Sequence, residues 1–272
     1  MFDEPDVEIA RHATRTGTHA IGIVRASLRA TTLVGFVAVV YVSWFAGDVV
    51  LAGTTERRKA WRRRWVRNFA RGVARVTGMR VTVEGRQPEP PFLLVSNHLG
   101  YIDIIALSSV VDCVYVARGD LADWPVIGTL CRAAEIIFTD RSRKKDVLAT
   151  SERIARTLAR GDGVVLFAEG TSTEGSSVAP FKPSLLEPAV VHRLPVHYAT
   201  IGYVTRPGDP PAHMAVCWWG DMTFPDHFMR LLGLRSFNAR IVFGDAPICE
   251  SDRKELARRL HDAVSGQFTP VE

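Results

Sequence analysis

His98 and Asp103 are separated by one short turn of chain, and together they have the makings of a proton-transfer pair. A carboxylate that holds one imidazole nitrogen leaves the other free to accept a proton, which is the arrangement of a general base with its orienting partner. The apolar run 92–95 reads as a buried strand that breaks at Ser96-Asn97-His98. Gly100 supplies a turn, and residues 102–107 begin a helix, so the pair falls where a strand ends and a helix starts. In open α/β sheets that is where ligands bind. Taken alone, the pair also fits a loop histidine bonded to nearby backbone.

Three further stretches carry polar groups at strand ends. Asp140-Arg141 follows the apolar residues 136–138, and a guanidinium there suits bidentate contact with a phosphate, although a rim salt bridge uses the same residues. Glu169-Gly170-Thr171 follows the strand pattern 164–167; the glycine lets backbone approach an anion and the threonine offers a hydroxyl. Lys182, in Pro180-Phe181-Lys182-Pro183-Ser184, either returns a cation to the same site or is a solvated loop lysine.

The elements that must position these groups alternate between strand and helix patterns from Met79 onward, which is the signature of an α/β domain. Strands are expected at 81–84, up to His98, and at 114–117, 136–139, 164–167, 196–205, 214–219 and 240–244. Helices are expected at 101–110, 124–134, 144–160, 224–234 and 252–268, the last capped by Ser251. The expected architecture is a central mixed sheet flanked by helices over 79–272, preceded by membrane-associated helices over 30–78 and a polar, loosely structured segment 1–29.

Residues 30–47 are eighteen without a charge, with aromatics toward one end, which meets the lower limit for a membrane helix. Residues 57–75 hold nine Lys or Arg and no acid. On a helical wheel Trp61, Trp65, Phe69, Val73 and Val76 share one face and Arg63, Arg64, Arg67, Arg71 and Arg75 the other, the pattern of a helix lying on an anionic membrane. The net charge of +5 also admits nucleic acid, but the adjacent apolar segment decides for membrane, so no nucleic-acid partner is expected. Arg25 and Arg29 flank the apolar run on its other side, so a single span and a shallow helical pair compete. Four scattered cysteines without Cys-x-x-Cys spacing argue for reduced thiols facing the cytosol and against a zinc site.

Asn97-His98, four residues and then Asp103 resemble the first motif of the glycerolipid acyltransferase family, which includes the lysophosphatidic acid acyltransferases. The other motifs follow in order. Ile137-Phe138-Thr139-Asp140-Arg141 is similar to the second, with Thr139 where the family usually has an aliphatic residue. Phe167-Ala168-Glu169-Gly170-Thr171-Ser172 is similar to the third, with Ala168 in place of proline and Ser172 in place of an arginine frequent in lysophosphatidic acid acyltransferases. Leu194-Pro195-Val196 is similar to the short fourth.

The resemblance implies acyl transfer from a thioester, borne by coenzyme A or acyl carrier protein, to a lysolipid hydroxyl, with no other cofactor and no metal. His98 would be the base and Asp103 its partner, and Asn97, Arg141, Glu169, Gly170, Thr171 and Lys182 would bind substrate. The acceptor it points to first is 1-acyl-sn-glycerol-3-phosphate. The Ser172 departure keeps lyso-ornithine lipid open. The resemblance also favours a helical hairpin docked on one leaflet, at the cytoplasmic face of the cell membrane. A membrane hydrolase using the same pair on water, and a non-enzymatic adaptor driven by the basic helix, are the competing classes.

Overall fold

The computed structural model describes residues 4–124, 127–139 and 144–272, with only the helical backbone for 4–19, 127 and 144–148. Seven strands form one sheet: β1 (Met79–Glu84), β2 (Leu93–Ser96), β3 (Cys113–Arg118), β4 (Ile137–Thr139), β5 (Gly163–Phe167), β6 (Val196–Thr205) and β7 (Phe237–Phe243). Their order is β1-β7-β6-β2-β5-β3-β4, parallel throughout except where β6 meets β7. The helices among the described residues are α1 (Glu4–Val50), α2 (Thr55–Thr77), α3 (Ile102–Ser108), α4 (Ile127–Ala133), α5 (Lys144–Ala159), α6 (Glu187–Val191), α7 (Ala212–Ala215), α8 (Phe224–Gly233) and α9 (Arg253–Gln267).

Strands β2 and β5 are buried along their whole length, as central parallel strands covered on both faces must be. Leu94 and Phe167 face a core shared with Ile102, Leu107, Ile201 and Leu231. Leu93, Val95 and Leu166 face the other core, with Ile154, Leu186 and Leu260. Burial of each such side chain contributes about 1.5–3 kcal/mol before the entropic cost of ordering it. Because β2, β4 and β5 all run the same way, their carboxyl ends open on one edge.

From Glu4 the polar amino-terminal segment belongs to a helix continuous to Val50. Two expected elements need correction. Residues 214–219 form no strand; α7 and a turn stand there, because both neighbours of β6 are already taken, by β2 and β7. The indole N–H groups of Trp218 and Trp219 donate to the Met222 and His213 carbonyls instead, which ties down the turn. The cap of α9 is Asp252, whose carboxylate accepts from the Lys254 and Glu255 amides.

The apolar stripe of α2 faces α1 rather than lipid. Phe69 stacks between Trp65 and Phe36, and Trp65 donates its indole N–H to the Val40 carbonyl at 2.8 Å. Much of the basic face grips the sheet domain. Arg62 and Arg63 both pair with Asp162, Arg67 pairs with Asp112, and Arg71 donates to the Ser109 carbonyl. The 31 residues of α1 from Ala20 to Val50 are long and apolar enough to cross a membrane, and few of them are buried.

Candidate active site

The carboxyl end of β2 is fixed just before His98. Asn97 is 1% exposed; its side-chain N–H donates to the Ile201 carbonyl at 2.9 Å, and its oxygen accepts from the Ile201 amide at 2.7 Å. It extends the β2–β6 pairing with its side chain. That places Asn97 in a positioning role, since both ends of its amide are spent on β6.

Every backbone polar group of the next three residues has a partner, so the loop holds one shape. The His98 amide donates to Glu169 Oε1 at 2.7 Å, and its carbonyl accepts from the Thr173 amide at 2.9 Å. The Leu99 and Gly100 amides donate to Asp103 Oδ2, while their carbonyls accept from the Trp218 and Asp103 amides. Gly100 has a φ of 155°, and a Cβ there would lie 2.9 Å from the Trp218 nitrogen, so the close approach of this turn requires glycine.

On this loop His98 Nδ1 lies 2.8 Å from Asp103 Oδ2. Asp103 is fully buried and already accepts from two amides and from the Tyr203 hydroxyl, so it acts as an acceptor and the proton sits on Nδ1. Nε2 is thereby left as the proton-accepting nitrogen. One face of the imidazole stacks on Phe167, with ring centroids 4.0 Å apart and planes 15° from parallel. Tyr115 continues the stack behind Phe167.

Glu169 is the second carboxylate of the site and 2% exposed. Burial pushes its pKa up to about 7, against the pull of its two backbone donors, the His98 and Ala179 amides. Through these two bonds its oxygens brace the loop that carries His98. Gly170 follows with a φ of 78°, and Thr171 is exposed at the rim. The Ser172 hydroxyl donates to the Trp218 carbonyl at 2.5 Å, joining the third motif to the loop that also binds Leu99.

Lys182 lies apart from this group. Its side chain lines a pocket of about 210 Å³ with Thr139, Thr150, Leu166 and Ser184, on the sheet face opposite the His98 stack. Arg141 and Asp140 lie outside the described residues. Sequence reasoning did not single out Tyr203, Phe167 or Trp218 as site residues, and each is an ordinary apolar or aromatic position by pattern.

Helix α8 joins the site to α1. His227, 1% exposed on α8, is hydrogen-bonded through Nδ1 to the Tyr101 hydroxyl at 3.0 Å, and burial lowers its pKa to about 4, so it is neutral. At the far end of α8, Arg25 and Arg29 of α1 donate to the Gly233, Leu232 and Leu234 carbonyls.

The family model described as Acyltransferase matches residues 79–203, the span that holds all four motifs. The lyso-ornithine lipid O-acyltransferase of Brucella abortus is 32% identical over 227 residues, covering 76% of this chain and 82% of that one. This chain belongs to the glycerolipid acyltransferase family. It is an acyltransferase of lipid metabolism. The lyso-ornithine lipid O-acyltransferase of Rhizobium meliloti is 33% identical over 216 residues, 74% of each chain. The 1-acyl-sn-glycerol-3-phosphate acyltransferase of Neisseria meningitidis is 26% identical over 214 residues, 77% of this chain and 81% of that one. Among solved structures, the 1-acyl-sn-glycerophosphate acyltransferase PlsC of Thermotoga maritima superposes with a TM-score of 0.66 at 18% identity, over 91% of this chain and 93% of that one, a likeness of fold. In this acyltransferase the first and third motifs meet through the Glu169 bond to the His98 amide.

Proposed function

We propose that this acyltransferase moves a fatty acyl group from an acyl thioester to the free hydroxyl of a lysolipid by direct transfer, with His98 as general base. The observation that carries the reading is the 2.8 Å bond from His98 Nδ1 to buried Asp103, which leaves Nε2 for the acceptor hydroxyl. Nε2 takes the hydroxyl proton as the oxygen attacks the thioester carbonyl. The tetrahedral intermediate then expels the thiolate, which leaves as thiol with the proton from the imidazolium. Asp103 holds the tautomer and stabilises the cation formed in between. The thiol carrier is coenzyme A or acyl carrier protein.

For the acceptor, the side chain of Ser172 favours a lyso-ornithine lipid. Its hydroxyl is tied to the Trp218 carbonyl, so the third motif brings no guanidinium to the site at this position. An amino-acid head group presents a carboxylate and an ammonium where lysophosphatidic acid presents a phosphomonoester, and it has less need of a cation there. Among relatives matched over about three quarters of this chain, the lyso-ornithine lipid enzymes of Brucella abortus and Rhizobium meliloti, at 32% and 33% identity against 26% for the Neisseria meningitidis enzyme, support the same choice. Lysophosphatidic acid is the second reading, and Arg141, at the end of the second motif, would be its phosphate contact. Thr171 and Gly170 would line the acceptor's path at the rim.

The test is an acyl-transfer assay on protein reconstituted into vesicles, with labelled acyl thioester and either lysolipid. Diacylated product from the ornithine acceptor, lost in His98→Ala, is the expected result. Product from lysophosphatidic acid alone would overturn the acceptor choice, and retention of transfer in His98→Ala would overturn the base. The enzyme would work at the cytoplasmic face of the cell membrane, with α1 as its attachment.

A further inference from the structure

Asp103 is also held from β6, by a residue that none of the four motifs contains. The Tyr203 hydroxyl on β6 donates to Asp103 Oδ1 at 2.6 Å, and the two side chains are 1% and 0% exposed. The division of labour between the two carboxylate oxygens is uneven. Oδ2 receives His98 Nδ1 and the Leu99 and Gly100 amides, whereas Tyr203 is the only donor to Oδ1 among the described contacts. We propose that Tyr203 is a positioning residue for the acyl-transfer reaction: it pins Asp103 Oδ1 so that Oδ2 stays aligned on His98. This rests on the general-base reading of His98.

The phenol is itself well fixed. Its ring is packed edge-on against Phe237, and its burial keeps the pKa well above the usual tyrosine value, so the group remains a donor. Strand β6 places it, because the Asn97 amide clamps Ile201 two residues earlier and sets the height of β6 against the catalytic loop. With the hydroxyl gone, Oδ1 has no donor among the described contacts, and the carboxylate is held through Oδ2 alone, by His98 and the Leu99 and Gly100 amides, which leaves it freer to tilt about its own bond. The imidazole then samples orientations in which Nε2 is misaligned for the acceptor. The carboxylate also carries more unshared charge toward His98 and favours the imidazolium form.

The experiment compares wild type, Tyr203→Phe, Asp103→Asn and the double variant in vesicles, with labelled acyl thioester and the lysolipid that wild type acylates, across about pH 5 to 9. Phenylalanine keeps the ring volume, and thermal unfolding checks the fold. The expected result for Tyr203→Phe is a fall in kcat of roughly tenfold or more with KM for both substrates unchanged, a fraction of what a general base supplies. The acid limb of its kcat/KM profile moves to higher pH, and the double variant is no slower than Asp103→Asn.

A kcat within twofold of wild type with an unmoved acid limb overturns the proposal, as does a double variant slower than Asp103→Asn by the full Tyr203→Phe factor. Full activity in Asp103→Asn would overturn the general-base reading itself, a different failure. Should Tyr203→Phe unfold, 3-fluorotyrosine at 203 keeps the bond and strengthens the donor. The acid limb then moves to lower pH, and a limb that stays in place overturns the proposal.

Discussion

Glu169 illustrates how a residue chosen for one task can perform another. Its position after β5 suggests an acceptor contact, but its oxygens take the His98 and Ala179 amides and it is almost wholly buried. Glu169→Gln turns one oxygen into a donor that faces a backbone N–H, leaving that buried group unsatisfied at about 1–3 kcal/mol. The expected outcome is a Tm several degrees lower and a large loss of transfer with little change in acceptor KM. A carboxyl whose pKa rises from 4.5 to about 7 on folding binds its proton more tightly in the folded state. Its contribution therefore favours the fold below pH 4.5 and is lost as pH rises toward 7. Unfolding measured across that window should show this decline in wild type and a flatter profile in the glutamine variant. His98 and Asp103 were legible in the sequence because one turn of chain joins them. Tyr203 was not, since it lies 100 residues from Asp103 and is by type an ordinary strand aromatic.

At the scale of elements, β2 and β5 follow from unbroken apolar runs, and α3, α5 and α8 from apolar positions that recur at helical spacing. The run 214–219 does not, as a short apolar stretch has no period to separate strand from turn, and the free edge a strand would need is absent beside β6. The basic face of α2 was legible as a face but not as to its partner. Asp162 and Asp112 precede β5 and β3, far along the chain from α2. Asp162 is the hub of that contact, its side chain 4% exposed between Arg62 at 2.9 Å and Arg63 at 2.8 Å. Asp162→Ala leaves the Arg62 guanidinium, 9% exposed, without its main counter-charge. Removing one partner of a buried pair costs about 3–5 kcal/mol. Denaturant unfolding in detergent should show that loss, while Arg64→Ala, on the exposed part of the same helix, should show almost none.

For the whole molecule, the contacts of α1 favour one way of meeting a bilayer. It touches the rest of the protein between Gly22 and Asp48, at Gly233 beside Gly22, at Phe69 beside Phe36, at Trp65 beside Val40 and at Arg58 beside Asp48. Its neighbour α2 is bound in turn to the sheet domain through arginines. An α1 perpendicular to the membrane would draw those arginines and the sheet into hydrocarbon, at a cost of several kcal/mol for each charge. An α1 lying in the plane of one leaflet buries only its free side, where Val34, Val39, Val42 and Phe45 are 60–72% exposed. That orientation also brings α8, and through Tyr101 the catalytic loop, close to the lipid surface from which the acceptor must come. Val39→Glu, Val42→Glu and Phe45→Glu, placed together on that free side, should leave unfolding unchanged and abolish co-sedimentation with vesicles. Transfer to a long-chain lysolipid in vesicles should then fall at least tenfold, with a short-chain, water-soluble analogue still acylated at near the wild-type rate. Equal losses on both acceptors would mean that α1 supports the site through packing, and intact co-sedimentation would mean that another surface holds the enzyme on lipid.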